Sequence, residues 1–285
     1  MKAFKFNKIY VIESLNEKED KLTGKELYND LLRWKEYQIK DFKSELIQVA
    51  SKKEFFEKMK LIKVECINKG QFPIIHFEIH GSQDKTGLVL NSGELIKWSE
   101  LYEDLVQMNS IIGNNLFITL AVRHGVYLMK LIKIDKPSPF WGFIGSFNTI
   151  EELDLMISYN GFYDEFLKNF DLDAAIKRLQ ESNYDIPSSY RIITSELVFK
   201  DVIHRCFQKK YTQKKMFKRF ETVLKSRNIT IQNRNEKHNN AQKFRIEFHK
   251  LKRQYFENSK KTFFMFHYFP SNSERFKIGY NEVNN

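Results

Sequence analysis

Residues that could carry chemistry gather at the ends of two apolar segments of the chain. The segments are FPIIHFEIH, residues 72–80, and LFITLAV, residues 116–122. The residues at and just beyond their ends are His80, Gly81, Ser82, Arg123, His124 and Gly125. A histidine can transfer protons near neutral pH, and an arginine binds carboxylate or phosphate groups. These residue types therefore favour proton transfer or anion binding, provided that the fold brings the two ends together.

Both segments have the composition of β-strands, in a chain where strands and helices alternate. β-Branched and aromatic residues predict strands at residues 8–14, 45–50, 72–80, 116–122 and 140–144. Helices are predicted between them, and Thr23 to Glu26 and Ser51 to Glu54 each fit a capping box that starts a helix. The alternation predicts an α/β fold with a mainly parallel sheet covered by helices on both faces. Carboxyl ends of parallel strands share one edge of a sheet, so the two segment ends should meet in one crevice.

The two cysteines of the chain are interpreted as structural residues. Phe55, Met59, Ile62 and Cys66 lie on one face of a predicted helix, which places Cys66 in the core. Cys206 lies on the apolar face of a later predicted helix. Two isolated cysteines form neither a disulfide framework nor a thiol-rich zinc site.

Composition limits the class of protein. Of 285 residues, 42% are hydrophobic and 15% are aromatic, which is ample material for a folded core. The sequence has no run of about 18 apolar residues and its start lacks the apolar core of a signal peptide. We therefore expect a cytoplasmic protein without a membrane span. No cofactor is predicted, and the oligomeric state stays open.

The second half of the chain is predicted to be mainly helical. Helical spacing is predicted over residues 150–179, with interruptions near Gly161 and Asp171, and a basic helical pattern follows from about residue 188 with a loop at 228–242.

The positive charge of the chain is concentrated in this half. Residues 201–260 hold 17 Lys and Arg against 5 Asp and Glu, within a chain of net charge +11. These helices can be amphipathic with a solvated basic face, or they can bind nucleic acid, an acidic protein partner or an anionic membrane surface.

A metal site is a further alternative. His76, Glu78 and His80 alternate along one side of the third predicted strand, and His124 could lie near them; such a group can hold zinc. Residues two and four places before the end of a central strand should, however, be buried beneath the helices. The sequence therefore favours no metal site.

The order of these elements resembles the caspase-like clan of cysteine proteases, including the CHAT proteases of bacteria. IIHFEIHG, residues 74–81, is similar to the family's His-Gly motif at the end of the third strand, and TGLVLNSGELIKW, residues 86–98, resembles the hairpin that follows it. LFITLAVRHG, residues 116–125, is similar to the strand whose end carries the nucleophilic cysteine. The resemblance implies a caspase-like three-layer sandwich, which we assign to residues 1–185. The charge and helical spacing of the remaining residues predict a basic, mainly helical region packed on it over residues 186–285.

The resemblance also implies roles for single residues. His80 and Gly81 match the family's histidine motif, and Arg123 stands at the position of the nucleophile; a placement one residue earlier gives Val122 instead. Neither residue is a nucleophile, so the family's cysteine mechanism is not expected. Arg123, His124 and Ser82 become candidates for binding an anion. The implied function is a degenerate module that binds a peptide, an anion or a partner protein, in a bacterial stress or antiphage defence system.

Three alternatives stay open at this point. The chain could be an active protease or another hydrolase with a site rebuilt around His80 and His124. It could bind nucleic acid through residues 201–260. His80 could also serve only strand-end geometry, and Arg123 could be an ordinary surface residue.

Overall fold

A mixed sheet of mostly parallel strands forms the centre of the first part of the chain. The computed structural model describes residues 4–18, 21–147, 152–181, 190–226 and 233–284. The strands are β1 Lys8–Ser14, β2 Lys43–Gln48, β3 Pro73–Gly81, β4 Gly87–Val89, β5 Leu95–Lys97, β6 Phe117–Ala121, β7 Gly142–Ser146 and β8 Tyr190–Thr194. Their order is β2-β1-β3-β6-β7-β8, with the β4–β5 hairpin attached to β3. Only β7 and β8 pair antiparallel along that order. The predicted α/β class with a mainly parallel sheet is confirmed.

Helices fill the connections between the strands. They are α1 Thr23–Leu27, a π-helical segment Tyr28–Leu32, α2 Arg33–Gln38, α3 Lys52–Lys69, α4 Trp98–Ile111, a 3-10 helix Gly125–Leu131, α5 Glu152–Asn169, α6 Leu172–Glu181, α7 Ser195–Lys210, α8 Gln213–Ser226, α9 Arg234–Phe263, α10 Asn272–Arg275 and α11 Asn281–Asn284. In the described part of the chain, no helix is both long and apolar enough to cross a membrane.

Successive residues of β3 face two different helix layers. The ring of His76 lies 4.8 Å from that of Tyr159 on α5, whereas the ring of Phe77 lies 6.0 Å from that of Phe55 on α3. Helix α5 also contacts α1 and α6, and α3 contacts α4. Since side chains alternate across a strand, this arrangement places helices on both faces of the sheet. The result is a three-layer α/β architecture.

The chain divides into two compact units. The first comprises residues 1–133 and 138–195, and the second comprises residues 134–137 and 196–285. The second unit is helical and has an aromatic core, in which the ring of Phe199 lies 5.8, 5.5 and 5.2 Å from those of Phe256, Phe263 and Phe264. The boundary predicted between residues 185 and 186 lies outside the described residues.

Several local predictions are confirmed. Strand β1 has the predicted bounds, and the hairpin over residues 86–97 is present. Ser51 caps α3, because its side chain accepts a hydrogen bond from the Glu54 amide at 3.2 Å. The predicted apolar face of α3 is buried, and it consists of Phe55, Met59, Ile62 and Cys66.

The first predicted capping box is wrong. Thr23 does not cap α1; its hydroxyl donates instead to Glu78 Oε2 at 2.9 Å, so a tertiary contact takes the group that the local motif would use. The π-helical turn that follows adds a residue to the spacing. As a result, Leu32 rather than Leu31 is buried after Leu27.

Three later predictions also need correction. Helix α5 continues through Gly161, where a Cβ would meet only the flexible Arg178 side chain at 3.4 Å. Strand β8 was expected to be helical, but it pairs antiparallel with β7. The loop predicted at 228–242 is helical from Arg234 onward, and Asn233 caps that helix by accepting from the Glu236 amide at 2.9 Å.

Candidate functional site

The ends of β3 and β6 meet at one edge of the sheet. The two strands are parallel neighbours, and the last paired residues are Glu78 and Ala121. Beyond them the backbones approach so closely that a Cβ on Gly81 would lie 1.9 Å from the carbonyl oxygen of Arg123. Only glycine is compatible with such an approach. We call His80, Gly81, Arg123 and His124 the strand-end site.

His80 occupies the last part of β3, where the strand leaves the parallel sheet and joins the hairpin. It pairs antiparallel with Val89, and Gly81 pairs with Leu88. The residue is half-buried, in contrast to the fully enclosed residues before it. The backbone of His80 is therefore fixed by β4 at the point where the chain reaches the surface.

Arg123 and His124 form the turn after β6. Arg123 is exposed, and no carboxylate in the described ranges lies within ion-pair distance of its guanidinium. His124 has a left-handed backbone with φ +60, a conformation that costs a non-glycine residue about 1 kcal/mol or more and that is concentrated at functional sites. Its Nδ1 donates to the carbonyl of Phe147 at 3.0 Å, which fixes the orientation of the ring.

Gly125 allows this turn to form. Its amide donates to the carbonyl of Val122 at 3.2 Å, and a Cβ on it would lie 2.9 Å from Cβ of Leu120. Val122, the alternative nucleophile position, is buried, with 2% of its surface exposed. Of the two candidate positions, Arg123 is therefore the one that reaches solvent.

Ser82 takes part in the hairpin turn. Its hydroxyl oxygen accepts hydrogen bonds from the amides of Thr86 and Gly87 at 2.9 and 3.0 Å. The hydroxyls of Thr86 and Ser82 both donate to Asp84, which lowers the pKa of that carboxyl. The Ser82 hydroxyl is thus used to close the turn, and it holds the chain just beyond Gly81.

The thiols of Cys66 and Cys206 do not belong to the strand-end site. Cys66 is buried in α3, and burial raises its pKa to about 12, so the reactive thiolate is disfavoured at neutral pH. Cys206 belongs to the second unit, where its thiol lies 3.8 Å from the Tyr255 hydroxyl.

No model of a known protein family matches the chain, and no curated protein matches it.

Beneath the strand-end site lies a buried polar network that the sequence did not reveal. Nε2 of His76 lies 3.0 Å from Glu78 Oε1, and Nδ1 lies 2.8 Å from the hydroxyl of Thr119. That hydroxyl is 2.6 Å from the hydroxyl of Tyr163, while Glu78 also accepts from Thr23. Each polar group on the ring and on the carboxylate therefore has a protein partner, as burial requires.

Glu13 extends this network to the next strand. It is the register partner of Glu78 across β1 and β3, so two buried carboxyls lie side by side. Its oxygens accept from the Lys25 amide at 2.9 Å and from Gln48 at 2.8 Å. Burial raises the pKa of Glu13, while those hydrogen bonds oppose the increase. A Cβ on Gly24 would lie 2.9 Å from Glu78 Cγ, so glycine lets α1 reach the carboxyls.

These contacts bear on the zinc alternative. His76 and Glu78 are buried and bonded to each other, to Thr119 and to Thr23, as described above. Within the described ranges, no group of three or more His, Cys, Asp or Glu residues is placed to hold a metal ion. His76 and Glu78 are thus buried in the interior, whereas His80, at the end of the same strand, is half-buried.

The basic helices of the second unit are amphipathic. Phe220 and Phe248 are buried, and Lys214, Lys215 and Lys218 on α8 are exposed. Phe217 departs from the pattern, since 52% of its surface is exposed among those lysines. The charged face is therefore solvated, and it carries one exposed aromatic ring.

Proposed function

We propose that this chain is a catalytically inactive relative of the caspase-like cysteine proteases that binds an acidic peptide segment of a partner protein without cutting it. The contact between Gly81 and the backbone of Arg123 carries the proposal, because it joins the family-like histidine segment to the residue at the nucleophile position. The same resemblance is the basis for proposing a role in a bacterial stress or antiphage defence system.

The side chains at the strand ends support binding without catalysis. Cysteine hydrolysis requires a thiolate beside a proton-transferring group, and a guanidinium that stays protonated cannot attack a carbonyl. Cys66 is buried with a raised pKa, and the oxygen of Ser82 is occupied by two amides. A displaced nucleophile at either residue is therefore disfavoured.

The charge at the site supports an acidic ligand. The Arg123 guanidinium is exposed and has no carboxylate partner among the described residues, so it can form a bidentate pair with a carboxylate. His124 lies next to it, with its ring held by the Phe147 carbonyl. The Arg123 guanidinium is therefore the group proposed to bind a peptide aspartate or glutamate.

A binding measurement tests this proposal. A fluorescein-labelled peptide rich in aspartate should bind the wild-type chain, and Arg123→Ala should weaken its affinity by about tenfold, the usual loss for one charged hydrogen-bonding partner. Lys60→Ala, which removes an exposed lysine of α3, is the matched control and should leave the affinity unchanged. Equal losses in both variants, or equal binding of an asparagine-substituted peptide, would contradict the proposal, as would cleavage products detected by mass spectrometry.

Nucleic-acid binding by the second unit is a second candidate function. The observation that favours it is Phe217, whose exposed ring lies on α8 among exposed lysines, since exposed rings stack on bases while lysines bind phosphates. Single-stranded RNA should then bind with an affinity that falls steeply with salt. At a fixed salt concentration, Phe217→Ala should bind the RNA more weakly than the wild type. An affinity equal to that of the wild type would rule out stacking on this ring.

A further inference from the structure

A pocket of about 540 Å³ lies between the hairpin and the 3-10 helix of the first unit. Its lining residues are Asp84, Lys85, Thr86, Lys97, Trp98, Ser99, Tyr127 and Lys130. None of these belongs to the strand-end site, although the ring of Tyr127 lies 6.1 Å from that of His124. We call it the lysine pocket.

Three lysines line this pocket, namely Lys85, Lys97 and Lys130. In the described residues, no carboxylate lies within ion-pair distance of Lys85, Lys97 or Lys130, whereas Lys52, Lys63 and Lys69 of the same unit each pair with an acidic residue. Glu100, three residues after Lys97, pairs with Lys52 at 2.7 Å, and the charge of Lys97 helps to lower the pKa of the Glu100 carboxyl. Like charges that face one space without a counterion favour an anionic ligand.

The structure holds two of these lysines around one aromatic ring. Nζ of Lys130 lies 4.0 Å from the centre of the Tyr127 ring, and Nζ of Lys85 lies 5.3 Å from it. Both distances permit cation–π attraction. The Tyr127 ring therefore holds both ammonium groups at the lining of the pocket.

The backbone that carries Lys85 is also fixed. Nε1 of Trp98 donates to the carbonyl of Lys85 at 3.0 Å, and the Trp98 amide donates to that of Thr86 at 2.9 Å. Lys85 itself adopts a left-handed conformation with φ +65 although it is not glycine. Such strain persists only where surrounding contacts enforce it, and it is concentrated at ligand-binding positions.

The net charge of the pocket selects the class of ligand. Against the three lysines stands one carboxylate, Asp84, which remains ionised because Thr86 and Ser82 donate hydrogen bonds to it. The remaining charge of two matches a phosphate monoester, which carries roughly −1.5 to −2 at neutral pH. Lysine binds phosphate as a point charge with three hydrogen-bond donors. The volume of the pocket falls within the range of roughly 300–1,000 Å³ that suits a small molecule.

We propose that the lysine pocket binds a phosphorylated small molecule, with Lys85 and Lys130 on the phosphate and Lys97 completing the positive field. This site does not depend on the function proposed for the strand-end site, because the two share no residue. If the peptide does not bind, the proposal for the lysine pocket still stands. If phenyl phosphate does not bind, the proposal for Arg123 still stands.

Titration calorimetry with phenyl phosphate, and with benzoate as its carboxylate counterpart, tests the proposal on the full chain. Phenyl phosphate should bind saturably and more tightly than benzoate. Lys85→Met with Lys130→Met should weaken it by at least about tenfold, since two charged hydrogen-bond donors are lost. The matched control, Lys40→Met with Lys60→Met, removes the same charge from exposed positions elsewhere on the unit and should leave the affinity nearly unchanged.

A gain-of-binding variant guards against a trivial loss of folding. Asp84→Asn removes the one negative charge of the pocket and keeps an oxygen that can accept from Thr86, so it should tighten phenyl phosphate binding. The proposal is overturned if phenyl phosphate does not bind saturably, if benzoate binds as well, or if the pocket and control double variants lose affinity equally. Tighter binding in Asp84→Asn together with loss in the pocket variant supports it.

Discussion

Two regions of β3 that lie only two residues apart have opposite surroundings. His76 and Glu78 are enclosed, with 0% and 2% of their surfaces exposed, and each polar atom has a protein partner. His80 is half-buried, and the neighbouring Arg123 is exposed. The difference shows that a histidine's depth along the strand, rather than its residue type, decides whether its side chain is enclosed in the core or reaches the surface.

The largest expected effect is on the buried side of this comparison. Glu78→Ala should lower the free energy of unfolding by about 4 kcal/mol, because it leaves Nε2 of His76 and the Thr23 hydroxyl without partners in the interior. Glu57→Ala, at an exposed position of α3, should change it by less than about 0.5 kcal/mol. Urea denaturation measures both. A loss below about 1 kcal/mol in Glu78→Ala would mean that the network does not support the fold.

The next effect concerns the junction of the two strand ends. Gly81→Ala should cost about 2–3 kcal/mol of stability, because its Cβ would overlap the Arg123 carbonyl and force the backbones apart. Gly161→Ala provides a control of opposite sign: its Cβ has room inside α5, so higher helix propensity should stabilise the chain by up to about 1 kcal/mol. Thermal unfolding of both variants compares them. If Gly81→Ala were as stable as the wild type, the strand ends would not meet as described.

The smallest expected effect is on the pH dependence of stability. The sign of this dependence should differ between the buried carboxyl of Glu13 and the exposed carboxyl of Asp84. Burial raises the pKa of Glu13 above its ordinary 4.5, so its protonated form favours the folded state. The stability of the wild type relative to Glu13→Gln should therefore be greatest below pH 4.5 and decline as pH rises through the raised pKa. Hydrogen bonds from Thr86 and Ser82 lower the pKa of Asp84. Relative to Asp84→Asn, the wild type should lose stability as pH falls through that lowered pKa. Denaturation midpoints from pH 3 to 8 would show the two trends, and parallel trends would contradict this assignment.

Periodicity was sufficient to predict much of the fold. The apolar face of α3 follows from helical spacing, because residues that repeat with the period of a helix share its buried face. The bounds of β1, which is buried on both faces, follow from its β-branched and aromatic residues. The meeting of the strand ends at one edge follows from parallel topology in the same way. The first two features depend on residues close together in sequence, and the third depends only on the order and direction of the strands.

Other features depend on contacts that sequence spacing does not encode. Thr23 fits a helix cap but bonds to Glu78, which lies 55 residues away. The pairing of Glu13 with Glu78, and the convergence of Lys85 with Lys130 on Tyr127, likewise require the folded chain. Strand β8 was missed because a short antiparallel strand beside a helical region has no distinct period of its own.

The most direct test asks whether residue 123 lies at an exposed strand end. Arg123→Cys, combined with Cys206→Ser, gives a thiol whose alkylation by iodoacetamide at pH 7 can be compared with that of buried Cys66. The new thiol should react roughly a thousandfold faster than Cys66, whose pKa is about 12. A thiol as unreactive as Cys66 would contradict the exposed strand-end site.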